Sequence, residues 1–213
     1  MTHCPVIVFA KAPRAGFAKT RLIAALGAEG AASLAERLLQ TALEHALGAN
    51  VGPVELCVTP DRWHPVFISA AQSGSVTLAD QGDGDLGERM ARAFDRVLSR
   101  HDRALLIGTD APLLDARYLR AAAAALHDSD AVFGPAVDGG YVLVGLHRPA
   151  PGLFAGMRWS HHLVMAHTRQ RLGALDLHHV ELPLLHDVDE PADLTHVPAS
   201  WLRALPGVTQ SSP

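Results

Sequence analysis

The chain reads as a layered α/β domain built on a mostly parallel sheet. Three observations carry that reading. Short apolar, β-branched runs recur along the 213 residues: VIVFA at 6–10, VELCVT at 54–59, ALLI at 104–107, AVFGP at 131–135 and YVLVG at 141–145. Most lack the polar alternation of a half-exposed strand, as strands covered on both faces do. Segments with helical spacing lie between them, and a parallel sheet needs such crossovers.

Whole-chain properties narrow the function classes. The length fits one domain over residues 1–197, followed by an extension at 198–213. In that extension Trp201, Leu202 and Leu205 are expected to dock, and Gln210 to Pro213 to fray. A formal net charge of −4 gives no bulk attraction to nucleic acid or an anionic membrane. Aromatic residues make up only 5% of the chain, so no basic–aromatic interleaving for nucleic acid arises. No window reaches about 18 apolar residues, so neither a membrane span nor a membrane partner is expected. The run at 6–10 is too short for a signal-peptide core. Cys4 and Cys57 lie far apart, in or beside expected strands, and read as buried free thiols in a reducing cytoplasm.

The elements follow in order. Pro5 to Ala10 is the first strand. A basic loop from Lys11 leads to a helix that starts near Thr20, breaks near Gly27 and Gly30, continues through Ala31–Ala46 and stops at Gly48. Val54 to Thr59 is the second strand, ended by Pro60. Residues 63–71 are ambiguous between coil and a short helix. Ser75 to Ala79 is a third strand. A polar glycine loop from Gln81 opens a helix reaching about Ser99, whose Leu86, Met90, Ala93, Phe94 and Val97 fall at helical spacing and should face the core. Asp115 to Leu126 is alanine-rich and helical. Two strands at 131–135 and 141–145 are joined by a turn too short for a crossover, which requires an antiparallel neighbour. Ser160 to Leu172 reads as a helix capped by Ser160. His179 to Pro183 is a late strand, and Pro191 sits in the first turn of a closing helix.

The run LLIGTDAP, residues 105–112, organises the chemistry. It is a buried strand that stops at Asp110, with Pro112 forbidding continuation. Asp110 therefore belongs at the carboxyl edge of the sheet, where open α/β sheets bind ligands. There it can hold a divalent cation, or cap the helix that begins near Asp115. The first loop carries Lys11, Arg14, Lys19 and Arg21 within eleven residues, together with Gly16 and Thr20. Strand, glycine loop and helix N-terminus in that order suit a polyanion such as a diphosphate or triphosphate. It is not a Walker A loop, because the first glycine of that motif is absent. The alternative is a solvated basic loop.

The second loop offers Gln81, Gly84, Asp85, Leu86 and Gly87 toward a ribose or base, with Asp85 otherwise capping the helix. Asp138 with Gly139 and Gly140 puts a carboxylate in a tight turn whose glycines allow close approach to a ligand. Asp187 and Asp189 alternate in an extended segment and can face one way, sharing one ion. Asp110, Asp187 and Asp189 together supply the hard oxygens that Mg²⁺ or Mn²⁺ takes, phosphates and waters completing the shell. His161, His162 and His167 lack the i, i+4 spacing of a helical zinc pair. No serine or cysteine stands in a nucleophile elbow.

The stretches VIVFAKAPRAGFAKTRL, QGDGDLGERM, LIGTDAPLL, FGPAVDGGYVLVGL and LHDVDEPADL occur in this order and span nearly the whole chain. The set resembles a bacterial family described as GT-A-type glycosyltransferase-like, within the nucleotide-diphospho-sugar transferase superfamily. It is similar in outline to 2-phospho-L-lactate guanylyltransferase and molybdenum-cofactor guanylyltransferase. The resemblance implies a Rossmann-like GT-A fold, three-layer α/β/α with a mixed sheet. It implies nucleotide phosphates on Lys11, Lys19 and Arg21, the nucleoside near residues 81–90, and metal on Asp110 with Asp187 or Asp189. Asp138, Gly139 and Gly140 would line the acceptor side. One departure falls there: the family tryptophan is usually followed by a small polar pair, whereas here Trp159 precedes Ser160, His161 and His162, so acceptor contacts in this region do not carry over.

The expected function is metal-dependent transfer from a nucleotide to a small-molecule acceptor, with Lys19, Arg21, Asp110 and Asp138 in the catalytic set. Four cations in one loop exceed what a diphosphate needs, and Asp110 stands outside any D-x-D pair. Both features favour nucleotidyl transfer from an NTP to a phosphorylated acceptor. Glycosyl transfer from a nucleotide sugar is the near alternative. A non-catalytic nucleotide-binding module and a metal-dependent hydrolase are the others.

Overall fold

The apolar runs become strands. In the computed structural model, which describes residues 3–206, they are β1 (Val6–Lys11), β2 (Val54–Thr59), β3 (Val76–Asp80), β4 (Ala104–Ile107), β5 (Ala131–Pro135), β6 (Tyr141–Leu146) and β7 (His179–Glu181). They form one sheet in the order β3-β2-β1-β4-β6-β5-β7. β1 pairs parallel with β2 and β4, β2 with β3, and β5 with β7. β6 runs antiparallel to both β4 and β5, as the short 136–140 turn demands.

Among the described residues there are seven α-helices: α1 (Ile23–Ala49), α2 (Pro65–Gln72), α3 (Leu86–Leu98), α4 (Ala116–Ala125), α5 (Pro151–Phe154), α6 (Val164–Ala174) and α7 (Ala199–Arg203). Successive strand residues point to opposite faces. On β1, Val6, Val8 and Ala10 join Leu39 and Leu43 of α1, Phe67 of α2 and Leu119 of α4 in one core. Ile7 and Phe9 face the other way, into a core with Met90 and Phe94 of α3, Phe154 of α5 and Leu172 of α6. The sheet is thus the middle of three layers, the Rossmann-like arrangement expected. Phe94 and Phe154 stack with ring centroids 6.0 Å apart, and full burial of one such ring contributes about 1.5–3 kcal/mol.

The strand order sets the place of the site. From β1 the chain winds outward to β2 and β3, then returns to β4 on the other flank of β1. Where crossovers diverge like this, a crevice opens at the carboxyl ends of the two strands.

Some boundaries differ from expectation, each for a local reason. Thr20–Leu22 is a short 3-10 turn ahead of α1. The helix is kinked at Gly27 (φ 70°, ψ 167°), but Gly30 and Gly48 lie within it. It ends instead at Asn50, which takes the left-handed conformation (φ 51°) and donates its amide to the Leu47 carbonyl. Met90, Ala93, Phe94 and Val97 of α3 are buried as the spacing predicts; Leu86, at the first position, is 43% exposed and borders the crevice. Ser160 does not cap α6: its φ is 62°, and the helix begins at Val164. Asp110 does not cap α4; Asp115 does, accepting from the Tyr118 amide. The ambiguous segment resolves into α2 with Pro65 in its first turn. The four-residue α5 has too little periodicity to be read from sequence.

A third core joins Leu22, Leu26, Leu34 and Leu38 to Val188, Val197 and Leu205, with Trp201 and Leu202 packed against it. Trp201, Leu202 and Leu205 are thus in contact with the body, while Gln210 to Pro213 lie outside the described residues. Cys4 and Cys57 are buried and unpaired, and burial pushes their thiols up to about 12 and about 11. Among the described residues no helix is long and apolar enough to cross a membrane.

Candidate active site

A cavity of about 680 Å³ lies at this crevice, a volume that suits a small-molecule ligand. It is bordered by the end of β1, the first loop, Gly108 to Asp110 beyond β4, the 136–140 turn, residues 159–161, and Asp187 with Asp189.

Lys19 is its centre. Gly16 (φ 78°) and Lys19 itself (φ 46°) bend the first loop through left-handed backbone, which costs a non-glycine residue about 1–2 kcal/mol. The bend turns the lysine inward, its side chain only 8% exposed. Nζ stands 2.6 Å from Asp110 Oδ1 and 2.8 Å from Asp189 Oδ1, and donates to the Val188 carbonyl at 2.7 Å. Burial works against the ammonium charge, but the two carboxylates overcome it and hold the Lys19 pKa above its ordinary value. Lys19 was expected on phosphates. Instead it bridges the carboxylates expected on metal.

The two carboxylates meet because two distant segments are tied together. The Val188 amide donates to the Asp110 carbonyl at 2.9 Å. Val188 is fully buried in the third core, so its neighbours Asp187 and Asp189 turn to the cavity. Asp193 fixes the segment further: its Oδ2 accepts from the amides of Asp189 at 3.0 Å and Glu190 at 2.7 Å. The D-x-D-E-P-A-D spacing carries this signal; the sequence reading set Asp187 and Asp189 on one ion but gave no role to Asp193.

Asp187 and Asp138 form a second acidic point. Burial first, then the like charges of Asp138, Asp189 and Asp110, push the Asp187 carboxyl up to about 6. Asp138 Oδ1 accepts from the Gly140 amide at 2.7 Å, shaping the turn. Asp110, Asp187 and Asp189 do not make a ready three-ligand cage. Among the described residues no three His, Cys, Asp or Glu side chains are so grouped.

The remaining candidates divide. Lys11, Thr20 and Arg21 border the cavity, and Arg21 approaches Glu190 at 3.7 Å across its mouth. Arg14 does not border it: it points outward to Asp61 at 2.9 Å. Gln81 borders the cavity, but its Nε2 donates to the carbonyls of Ala10 and Cys57, bracing the strand ends. Leu86 and Gly140 border it as well; Gly16, Gly84, Asp85, Gly87 and Gly139 do not. Asp85 is spent on a capping box, with Oδ1 accepting from the Glu88 amide at 2.9 Å and Glu88 Oε2 accepting from the Asp85 amide at 2.8 Å.

The far wall holds residues that sequence reasoning missed. Tyr141, Trp159 and His161 border the cavity, and their polar tips (Tyr141 Oη, Trp159 Nε1, His161 Nε2) are buried without a hydrogen-bond partner. Two glycines build this wall by close approach. A Cβ on Gly139 (φ 89°) would lie 2.0 Å from the His162 carbonyl oxygen, and one on Gly87 would lie 2.9 Å from the Trp159 ring. Those glycines pack behind the wall.

Comparison with known proteins places this arrangement. The family described as "uncharacterized protein conserved in bacteria (DUF2064)" matches residues 42–161. No protein of curated function matches the chain by sequence. A crystal structure named as a candidate nucleotide-diphospho-sugar transferase from Desulfovibrio desulfuricans is 31% identical, with a TM-score of 0.84, over 95% of this chain and 91% of that one. CMP:2-keto-3-deoxy-manno-octonic acid synthetase complexed with CTP shares the fold at 12% identity and a TM-score of 0.61, over 96% of this chain and all of that one. A Mycobacterium tuberculosis protein in complex with manganese does so at 16% identity and a TM-score of 0.51, over 96% and 100% of the two chains. With a family match over more than half of its residues and a 31% identical relative along nearly its whole length, the chain belongs to the DUF2064 family and carries the nucleotide-diphospho-sugar transferase fold.

Proposed function

We propose that the chain is a metal-assisted transferase acting on a nucleotide, and that it transfers a nucleotidyl group from an NTP to a phosphorylated small-molecule acceptor. Residues 1–197 act as one nucleotide-binding unit, and 198–213 as an extension of which Trp201, Leu202 and Leu205 pack on the body. The observation that carries this reading is the Lys19 ammonium held between Asp110 and Asp189 at the divergence of β1 and β4. A point that gathers two carboxylates and a carbonyl around positive charge has the hard oxygen donors that Mg²⁺ or Mn²⁺ takes. The printed names of the relatives agree in kind: one is a nucleotide-sugar transferase candidate, one holds CTP and one holds manganese.

Asp110 and Asp189 would hold the cation, which when bound neutralises phosphate charge. Lys19, freed from its carboxylates, would pass to the phosphates, joined by Lys11 and Arg21 from the same loop. These cations and the Thr20 amide end of the 3-10 turn orient the triphosphate and stabilise charge as it develops. An oxygen of the acceptor phosphate attacks the α-phosphorus, the bond from that phosphorus to the bridging oxygen breaks, and pyrophosphate leaves with the electron pair. No covalent enzyme intermediate is needed. Asp138, on the acceptor side, would hold the incoming group in line.

Glycosyl transfer from a nucleotide sugar is a second reading, favoured by the name of the 31% identical relative. The product decides: pyrophosphate supports nucleotidyl transfer, nucleoside diphosphate supports glycosyl transfer. The first experiment is a melting-temperature panel of NTPs and nucleotide sugars, with and without Mn²⁺, on the wild type and Asp110→Ala. A ligand at a hundred times its Kd raises stability by about 2.7 kcal/mol. The wild type should show a metal-dependent rise, and Asp110→Ala should lose it together with at least about a thousandfold of kcat/KM, a loss of roughly 4 kcal/mol in transition-state stabilisation. A nucleotide response that survives Asp110→Ala, without turnover, would instead make the chain a binding module.

A further inference from the structure

We infer that His186 and His196 are positioning residues for the cation point: their stacked rings close the neck of the segment between them and so hold Asp187 and Asp189 at the cavity. The inference rests on the transferase reading only for what the two carboxylates do there. The closure of the segment stands on its own observations.

The first observation is the stack. The ring centroids of His186 and His196 lie 3.8 Å apart, with the planes 21° from parallel. The two residues are ten positions apart in sequence and both are half-buried. A segment of that length whose ends meet is a compact loop shaped by its own contacts.

The second observation is where the loop is anchored. Just before His186, the Leu185 amide donates to the Pro135 carbonyl at 3.0 Å, and the Leu185 carbonyl accepts from the Val137 amide at 3.0 Å. Just after His196, Val197 is buried in the third core. Both ends are thus fixed to the body beside the stack. Between them Val188 is the buried side chain, with Leu194 partly buried against the same core.

The third observation is what the loop must withstand. Asp110, Asp138, Asp187 and Asp189 all border one cavity, and like charges in one place repel. Lys19 offsets that repulsion while it stays between Asp110 and Asp189. On the proposed reading it leaves them when a nucleotide arrives. A ring-face contact needs neither the lysine nor a metal, so it keeps the loop closed while one cation replaces the other.

The test is amide hydrogen exchange on the full-length protein, free of metal and nucleotide. The reporters are the amides of Val188, Asp189 and Glu190, which donate to the Asp110 carbonyl and to Asp193 Oδ2. The amides of β1 and β4 report on the sheet. His196→Ala should speed exchange at the three reporters at least about tenfold and leave β1 and β4 unchanged, the mark of a local opening. His196→Phe keeps a ring against His186 and should return the reporters to within about twofold of the wild type. A second readout is Mn²⁺ affinity with each NTP, followed by the Mn²⁺ paramagnetic resonance signal. It should fall about five- to tenfold in His196→Ala, as a local opening makes the closed site scarcer, and recover in His196→Phe.

Unchanged reporters in His196→Ala, or His196→Phe exchanging as fast as His196→Ala, overturns the inference. Faster exchange in β1 and β4 to the same degree overturns it too, since the rings then support the whole fold. So does wild-type Mn²⁺ affinity in a His196→Ala protein whose loop has opened. If the wild type binds nucleotide with Mn²⁺ in any of these cases, the transferase reading survives the failure. If His196→Ala opens the loop and His196→Phe closes it, while the wild type binds neither Mn²⁺ nor nucleotide, the closure stands and the transferase reading falls.

Discussion

The two walls of the cavity differ in how their polar groups are settled. On the first-loop side three of the four cations already have partners: Lys19 between Asp110 and Asp189, Arg21 facing Glu190, Arg14 turned out to Asp61. On the far side, Tyr141 Oη, Trp159 Nε1 and His161 Nε2 are buried without a partner among the described residues. Charge is too costly to bury alone, so the chain supplies its own counter-ions. A neutral donor costs less, and can be left for a ligand to satisfy. The paired wall must therefore exchange partners when a ligand arrives, whereas the unpaired wall only adds them.

Removing a partner from the paired wall should have the larger effect. Lys19→Met leaves Asp110 and Asp189 facing each other without a cation. A fully buried pair broken in this way costs about 3–5 kcal/mol. These carboxylates are 43% exposed, so after solvent screening the loss should be about 1–3 kcal/mol. Denaturant melts in chelator and in millimolar Mn²⁺ check it, because the metal should restore much of the loss. A deficit untouched by Mn²⁺ would mean that the two carboxylates do not form a cation point.

Asp187 tests the same idea with the opposite sign. Its carboxyl, raised to about 6, binds its proton more tightly in the folded chain than in the unfolded one, where the value is about 3.9. The charged form therefore lowers stability, fully above pH 6 and not at all below about pH 4. Asp187→Asn in chelator should melt about 2–4 °C higher at pH 8, an estimate already discounted for partial exposure, and the gain should vanish at pH 4. A gain that is independent of pH would assign it to packing rather than charge.

The smallest effect belongs to Arg14. Its ion pair with Asp61 is exposed on both sides, so Arg14→Ala should change stability by less than about 1 kcal/mol. It should also leave the nucleotide response intact. A weakened response would put Arg14 back on the phosphates and blur the contrast between the walls.

The strands were legible because burial on two faces leaves unbroken apolar runs. β2 and β5 begin and end where the runs at 54–59 and 131–135 do. The carboxyl-edge position of Asp110 followed from the same run and the proline after it. What the sequence could not give was pairing across the fold. Nothing local in residues 11–22 tells that Lys19 meets Asp110 and Asp189 across the fold. Periodicity also misjudged Leu86, because a helix's first turn can overhang a cavity while its later turns face the core. Ser160 looked like a cap, but its left-handed backbone belongs to the turn that brings His162 against Gly139. The unpartnered donors had no signature, since scattered Tyr, Trp and His look alike whether or not something pairs them.

The bond from the Val188 amide to the Asp110 carbonyl has a consequence in time. Lys19 and Asp189 are 170 residues apart, so on the ribosome the lysine is made long before its second carboxylate. The sheet strands β1 to β4 can assemble in the interval, but they present a lysine with one carboxylate and a site half built. Contacts of such separation form late. On the proposed function, activity would begin only when the segment at 187–193 has been laid down, and local opening of that segment would switch it off while the sheet stays folded.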